Sequence, residues 1–185
     1  MKRLPSLLIA IIITGTIFSS GCSDNNTWDE YEAWRKTNYE FYLAASDVKN
    51  PDGTPFYTRL SPSWYPSSGV LIHYFNDRSK TEGNLSPMVT STVDVKYIGR
   101  LYNDVPFDSS YTATANGDSI FRCQPSGTIT GWQVALTDMR VGDSARVVIP
   151  FSDGYQAQST GSIPPYSTLV FDIKLVDIYR YELSE

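Results

Sequence analysis

The chain has 185 residues, 15 basic and 20 acidic side chains, a net charge of −5 and 14% aromatic residues. That balance excludes a nucleic-acid partner, because neutralising phosphates needs a basic patch and none is visible. It also excludes a disordered chain, since so many rings belong to a packed, β-rich protein, and the length allows one domain plus an appendage.

Residues 1–21 read as a secretory signal: Lys2-Arg3, an apolar run over 4–18, then Ser19-Ser20-Gly21. An apolar run of about 15 residues falls short of the ~20 that span a bilayer as a helix, so a cleaved leader fits better than a membrane anchor. The small residues before Cys22 resemble a bacterial lipobox. On that reading Cys22 becomes the acylated first residue of an exported protein, residues 22–26 are the lipidated tether, and lipid holds a soluble domain at the cell envelope. If Cys22 is acylated, Cys123 has no partner for an intrachain disulfide; if it is an ordinary thiol, a Cys22–Cys123 bridge stays open in an oxidising compartment. Cys123 itself is expected as a small buried hydrophobe on a strand.

Residues 27–68 form an N-terminal helix and extension. Thr27-Trp-Asp-Glu30 has the spacing of a capping box, so a helix should start there. Trp28, Tyr31, Trp34, Phe41 and Tyr42 fall on a rough helical stripe. That face either packs on its own domain or is open to self-association or client binding. Asn50-Pro-Asp-Gly53 is a turn, because proline fixes one dihedral and glycine tolerates the left-handed region. Strands are expected over 56–60 and 69–75, separated by Pro62, Pro66 and two serines. The stretch 76–87 shows no motif.

Period-two alternation predicts a strand from Val93 through Tyr97, with Asp94 and Lys96 toward water. Further strands are expected over 120–124, 145–150 and 168–178. Between them Trp132, Ala135, Leu136 and Met139 recur at helical spacing over 131–139. A short helix covering the hollow face of a curved antiparallel sheet satisfies both periods, so the class is α+β over residues 69–185.

Several blocks in this order carry a family resemblance: Val93-Asp-Val-Lys-Tyr97-Ile-Gly99, Phe107-Asp108, Gly131-Trp132-x3-Leu136-x2-Met139-x-Val141-Gly142, Ile149-Pro150 and Ile163-Pro-Pro165. Together, over roughly residues 69–178, they resemble the FKBP-type peptidyl-prolyl isomerases. The resemblance implies a sheet wrapped around a short helix and an apolar pocket for a prolyl ring. It implies Trp132 as the floor, with Tyr97, Phe107, Ile129 and Phe171 as walls. Ile120 or Phe121 fills the place of a further ring from the strand before the helix. Tyr155 is implied as a phenol donating to a substrate carbonyl, the Ile129 amide as a second donor, and Asp108 as a carboxylate beside the twisting amide. A structural role for Asp108, bonded to Tyr97, weighs equally. Trp132, Tyr155 and Asp108 are thus the candidate catalytic residues. Gln156 stands where the family has glycine, and Ser159 or Thr160 where histidine is frequent.

The implied activity is isomerisation of proline-containing unfolded or exported polypeptides, with no cofactor and no metal. The alternative is a catalytically weak binding or chaperone module of the same fold. A third, outside the family, is a β-sandwich surface lipoprotein that binds glycan or a partner complex. His73, the only histidine, lacks ligand-spaced neighbours and reads as a strand-surface residue. Ser109-Ser110 has no nucleophile elbow or histidine base.

Overall fold

The computed structural model describes residues 27–113 and 117–179. The leader, the tether and the lipidation site at Cys22 lie outside the described residues. Helix α1 (Thr27–Glu30) is one turn, and α2 (Glu32–Asp47) continues after Tyr31. The expected capping box does not form. Thr27 sits within the helical turn, and its hydroxyl meets the Tyr166 phenol at 3.1 Å.

Seven strands make one sheet in the order β1-β2-β6-β7-β3-β4, with β5 also paired to β3. They are β1 (Thr58–Arg59), β2 (Leu71–Tyr74), β3 (Val93–Leu101), β4 (Pro106–Ser109), β5 (Phe121–Cys123), β6 (Ser144–Ile149) and β7 (Leu169–Ile178). Every pairing is antiparallel. Helix α3 (Ser110–Ala113) follows β4, and α4 (Thr130–Asp138) lies against the sheet face that carries the main core. β4 and α3 were not expected from the sequence, where Pro106 and two serines give neither period.

Alternation along β7 sorts the two faces. Leu169, Phe171, Ile173 and Leu175 point into the main core with Trp132, Leu136 and Met139, all of them buried. Val170 points outward, where it joins Leu71, Val148 and Ala45 in a second, smaller core under α2. Phe41 and Tyr42 pack there too, and the Tyr42 hydroxyl donates to the Gly69 carbonyl at 2.7 Å. The Phe41 and Tyr42 part of the aromatic stripe therefore covers the protein's own sheet, while Trp28 stays 46% exposed. On its outer side α2 leaves Tyr39 and Leu43 exposed.

The 76–87 stretch contains a 3₁₀ turn, Arg78–Thr81, whose Thr81 hydroxyl donates to the buried Asp143 at 2.6 Å. His73 lies half-buried on β2, stacked 3.7 Å from the Phe56 ring, with Nδ1 2.8 Å from the Phe56 carbonyl. Cys123 is half-buried on β5, and burial pushes its thiol up to about 11. No described helix is long and apolar enough to cross a membrane.

Candidate functional site

Strands β3, β4, β5 and β7, the start of α4 and the segment after β6 converge on a cavity of about 390 Å³. Its lining holds Tyr97, Phe107, Asp108, Phe121, Ile129, Trp132, Tyr155 and Phe171, so every pocket residue expected from the sequence lies at one place. Of the two alternatives on the strand before the helix, Phe121 lines the cavity. Gly127 and Thr128 line it as well and were not foreseen. Their signal was the Pro125-Ser-Gly127 turn, which brings backbone close to the mouth.

Trp132 forms the centre of the ring cluster. It is buried, and its indole meets Tyr97 at 5.0 Å and Phe171 at 5.3 Å, both edge to face. Such pairs prefer this arrangement because the ring edge is positive and the face negative. Phe107 meets Phe171 the same way at 5.5 Å, and Phe121 meets Tyr97 at 5.5 Å. The indole reaches this position because Gly131, just before it, lies hard against Ile149. A Cβ at 131 would come within 2.7 Å of the Ile149 Cδ1 atom.

The polar groups are few and placed at the rim. The Tyr97 hydroxyl donates to Asp108 Oδ2 at 2.6 Å, and the Ser109 amide donates to Oδ1 at 2.8 Å. Burial, then the hydrogen bond to Asp108, pushes the Tyr97 phenol far above its ordinary value. Tyr155 is half-buried, and burial followed by the Asp108 charge raises its phenol also. Both phenols therefore stay protonated at neutral pH. The Tyr97 hydroxyl donates its hydrogen bond to Asp108, whereas among the described residues the Tyr155 hydroxyl has no hydrogen-bond partner. Ile129 precedes α4 in extended backbone, with φ −61° and ψ 151°. Among the described residues its amide has no acceptor either.

Tyr155 hangs from a flap between β6 and β7 that opens with a 3₁₀ turn, Phe151–Asp153. Gln156 adopts φ +56°, the left-handed conformation for which glycine is suited. Its amide donates to the Phe151 carbonyl at 3.0 Å and its carbonyl accepts from Tyr166 at 2.7 Å. The backbone thus keeps a glycine-like turn despite the glutamine. Asp153, buried at the end of that turn, accepts from the Gly69 amide and the Tyr65 hydroxyl, both at 2.8 Å.

Nothing in the lining resembles a nucleophile with its base, and among the described residues no group of His, Cys, Asp or Glu side chains could hold a metal. The arrangement can desolvate an apolar ring, offer two hydrogen-bond donors and hold one carboxylate at the edge.

Comparison with known proteins points the same way. Residues 83–176 match the family model described as FKBP-type peptidyl-prolyl cis-trans isomerase. The macrophage infectivity potentiator of Trypanosoma cruzi is 37% identical over 105 residues, covering 56% of this chain and 52% of that protein. The FKBP-type peptidyl-prolyl cis-trans isomerase FkpA of Escherichia coli is 36% identical over 113 residues, covering 60% of this chain but 39% of that protein. The match therefore spans about half or less of those relatives. Among solved structures, a peptidyl-prolyl cis-trans isomerase from Pseudomonas syringae superposes with a TM-score of 0.60 at 26% identity, over 80% of this chain and 95% of that one. FkpA of Escherichia coli gives a TM-score of 0.64 at 25% identity, over 82% of this chain and 62% of that one.

Proposed function

Since this chain belongs to the FKBP-type peptidyl-prolyl cis-trans isomerase family, we propose that it catalyses cis–trans exchange at X-Pro bonds of unfolded or exported polypeptides. The observation that carries the reading is the open cavity of about 390 Å³, ringed by Tyr97, Phe107, Phe121, Trp132 and Phe171, with an unpartnered phenol on its flap.

The chemistry needs no proton transfer. An X-Pro bond exchanges through a twisted amide over a barrier of about 18–20 kcal/mol. Resonance makes the planar amide the more polar form, so a dry apolar cavity disfavours it relative to the twisted one. Each ~1.4 kcal/mol of that difference is tenfold in rate. Trp132 and the surrounding rings supply the dry surface for the prolyl ring. Tyr155 and the Ile129 amide donate to the carbonyls that flank it, which fixes the substrate's orientation in a water-poor site. Asp108 holds the Tyr97 phenol and sets a negative charge beside the rotating carbonyl.

A proline-peptide exchange assay tests this directly. The protein should accelerate exchange, and Trp132→Ala or Tyr155→Phe should lower kcat/KM about 10- to 100-fold with the fold intact. Equal exchange rates with and without protein would end the proposal. Suppression of client aggregation that survives both substitutions would move the reading to a holding module of the same fold.

The basic start, the apolar run and the small residues before Cys22 support export and acylation at Cys22, and a lipid there would hold the domain at a membrane surface with the fold in solution. Incorporation of labelled palmitate that persists in Cys22→Ser would contradict it. Phe41 and Tyr42 of α2 pack on the protein's own sheet, which leaves Tyr39 and Leu43 as the exposed apolar side of that helix.

A further inference from the structure

The helices α1 and α2 precede the family-matched region, yet they grip the segment that closes the flap. Three successive residues, Tyr166, Ser167 and Thr168, are held. The Thr27 hydroxyl meets the Tyr166 hydroxyl at 3.1 Å, and the Trp28 ring meets the Tyr166 ring edge-on at 5.3 Å. The Trp34 indole N–H donates to the Ser167 hydroxyl at 3.1 Å. Asn38, fully buried, accepts the Thr168 amide at 2.7 Å through its side chain, and its carbonyl accepts the Thr168 hydroxyl at 3.0 Å.

Residues 166–168 stand between two parts of the cavity. Thr168 leads straight into β7, whose third residue is Phe171. In the other direction the Tyr166 amide donates to the Gln156 carbonyl, next to Tyr155. The Tyr166 ring also meets Phe151 at 5.6 Å, at the other end of the flap. Both residues joined by that hydrogen bond are in the left-handed region, Gln156 at φ +56° and Tyr166 at φ +60°. A bulky side chain holds such a conformation only where its surroundings impose it. At Tyr166 part of those surroundings is the N-terminal helix pair.

We infer that α1 and α2 act as a strut for the site, with Trp28, Trp34 and Asn38 as positioning residues that hold Tyr166–Thr168 and, through the Gln156 carbonyl, fix the Tyr155 phenol. The inference rests on the isomerase reading for its effect on rate but not for its effect on the flap. The chain outside the family core thereby sets the orientation of Tyr155, the flap phenol that lines the cavity.

The test uses the double variant Trp28→Ala, Trp34→Phe. Trp28 is 46% exposed, and phenylalanine keeps a ring at 34 while removing the donor to Ser167, so the core is left in place. Two quantities are read: the hydrogen-exchange rate of the Tyr166 amide, and kcat/KM on a proline peptide in the wild-type and Tyr155→Phe backgrounds. Expected are an amide exchange about tenfold faster, a fall of about fivefold in kcat/KM in the wild-type background, and a fall under about twofold where Tyr155 is already phenylalanine. Equal falls in both backgrounds, no fall in either, or unchanged amide exchange would overturn the inference. If the wild-type protein has no isomerase activity, the functional reading falls by itself and the amide exchange decides the strut. Should the double variant fail to fold, Trp34→Phe alone carries the same comparison.

Discussion

Gly99 shows how closely the site is fitted at single positions. It lies directly across from Phe171 in the β3–β7 register, and the Phe107 ring rests on it from the neighbouring strand. A Cβ at 99 would stand 2.7 Å from the Phe107 ring and 2.8 Å from that of Phe171, nearer than such atoms approach. Neither ring is a free end, because each is wedged against the other. Gly99→Ala should therefore cost about 1–3 kcal/mol of stability as an overpacked core does. It should also raise KM by displacing two cavity walls together. Denaturant unfolding and steady-state kinetics on the same sample check both, and an unchanged midpoint with unchanged KM would show that the rings yield freely. At Gln156 the side chain identity and the backbone conformation disagree. The sequence makes the residue visible as a departure from the family's glycine, but only the φ of +56° shows that the turn is kept in spite of it.

At the scale of elements, β6 and β7 are joined across their outer face by charge as well as by backbone. Asp172 on β7 is paired in register with Arg146 on β6, which contacts it through two hydrogen bonds of 2.7 and 2.9 Å. Arg100 on β3 adds a third at 2.8 Å. Burial acting alone raises the Asp172 carboxyl, but the Arg146 and Arg100 hydrogen bonds and charges outweigh it and hold the carboxyl below the ordinary range. Asp143 is likewise held low: burial raises it, and bonds from Thr81, the Arg140 amide and Asn76, with the Arg78 charge, prevail. A depressed folded value means that the stabilisation is complete above the unfolded carboxylate value of about 3.9 and is lost as pH falls through the lower folded value. Stability should thus stay level from neutral pH to about 5 and drop below about 4. Asp172→Asn should cost about 1–3 kcal/mol at neutral pH and make the acid limb shallower, as read by urea unfolding across pH. An acid limb of the same slope would remove Asp172 as its source. The strands that build this face, β3, β6 and β7, were legible because one side of each is buried and the residues alternate. β4 was not, since four residues beginning with proline carry no usable period.

For the molecule as a whole, the sequence suggested a break between residues 27–68 and 69–185, and the cavity residues were legible because family motifs fix their spacing. What it did not reveal is how the first segment joins the second. Asn38 and Thr168, or Trp34 and Ser167, are about 130 residues apart, and no local pattern announces such a pair. The observed sheet runs across the suggested break: β1 pairs with β2, and α2 covers Leu71, Val148 and Val170 on the outer face. Uncovering three aliphatic side chains costs roughly 1.5–3 kcal/mol each, so their sum is comparable with the 5–15 kcal/mol that holds a domain together. A chain shortened to begin at Asn50 should therefore melt well below the full-length protein and bind a hydrophobic dye. It should also lose isomerase activity out of proportion to its folded fraction, because the support of residues 166–168 leaves with the helices. If the shortened chain instead melts at the full-length temperature and keeps full kcat/KM, the N-terminal helices are a separable appendage and the sheet's outer core contributes little to holding the fold.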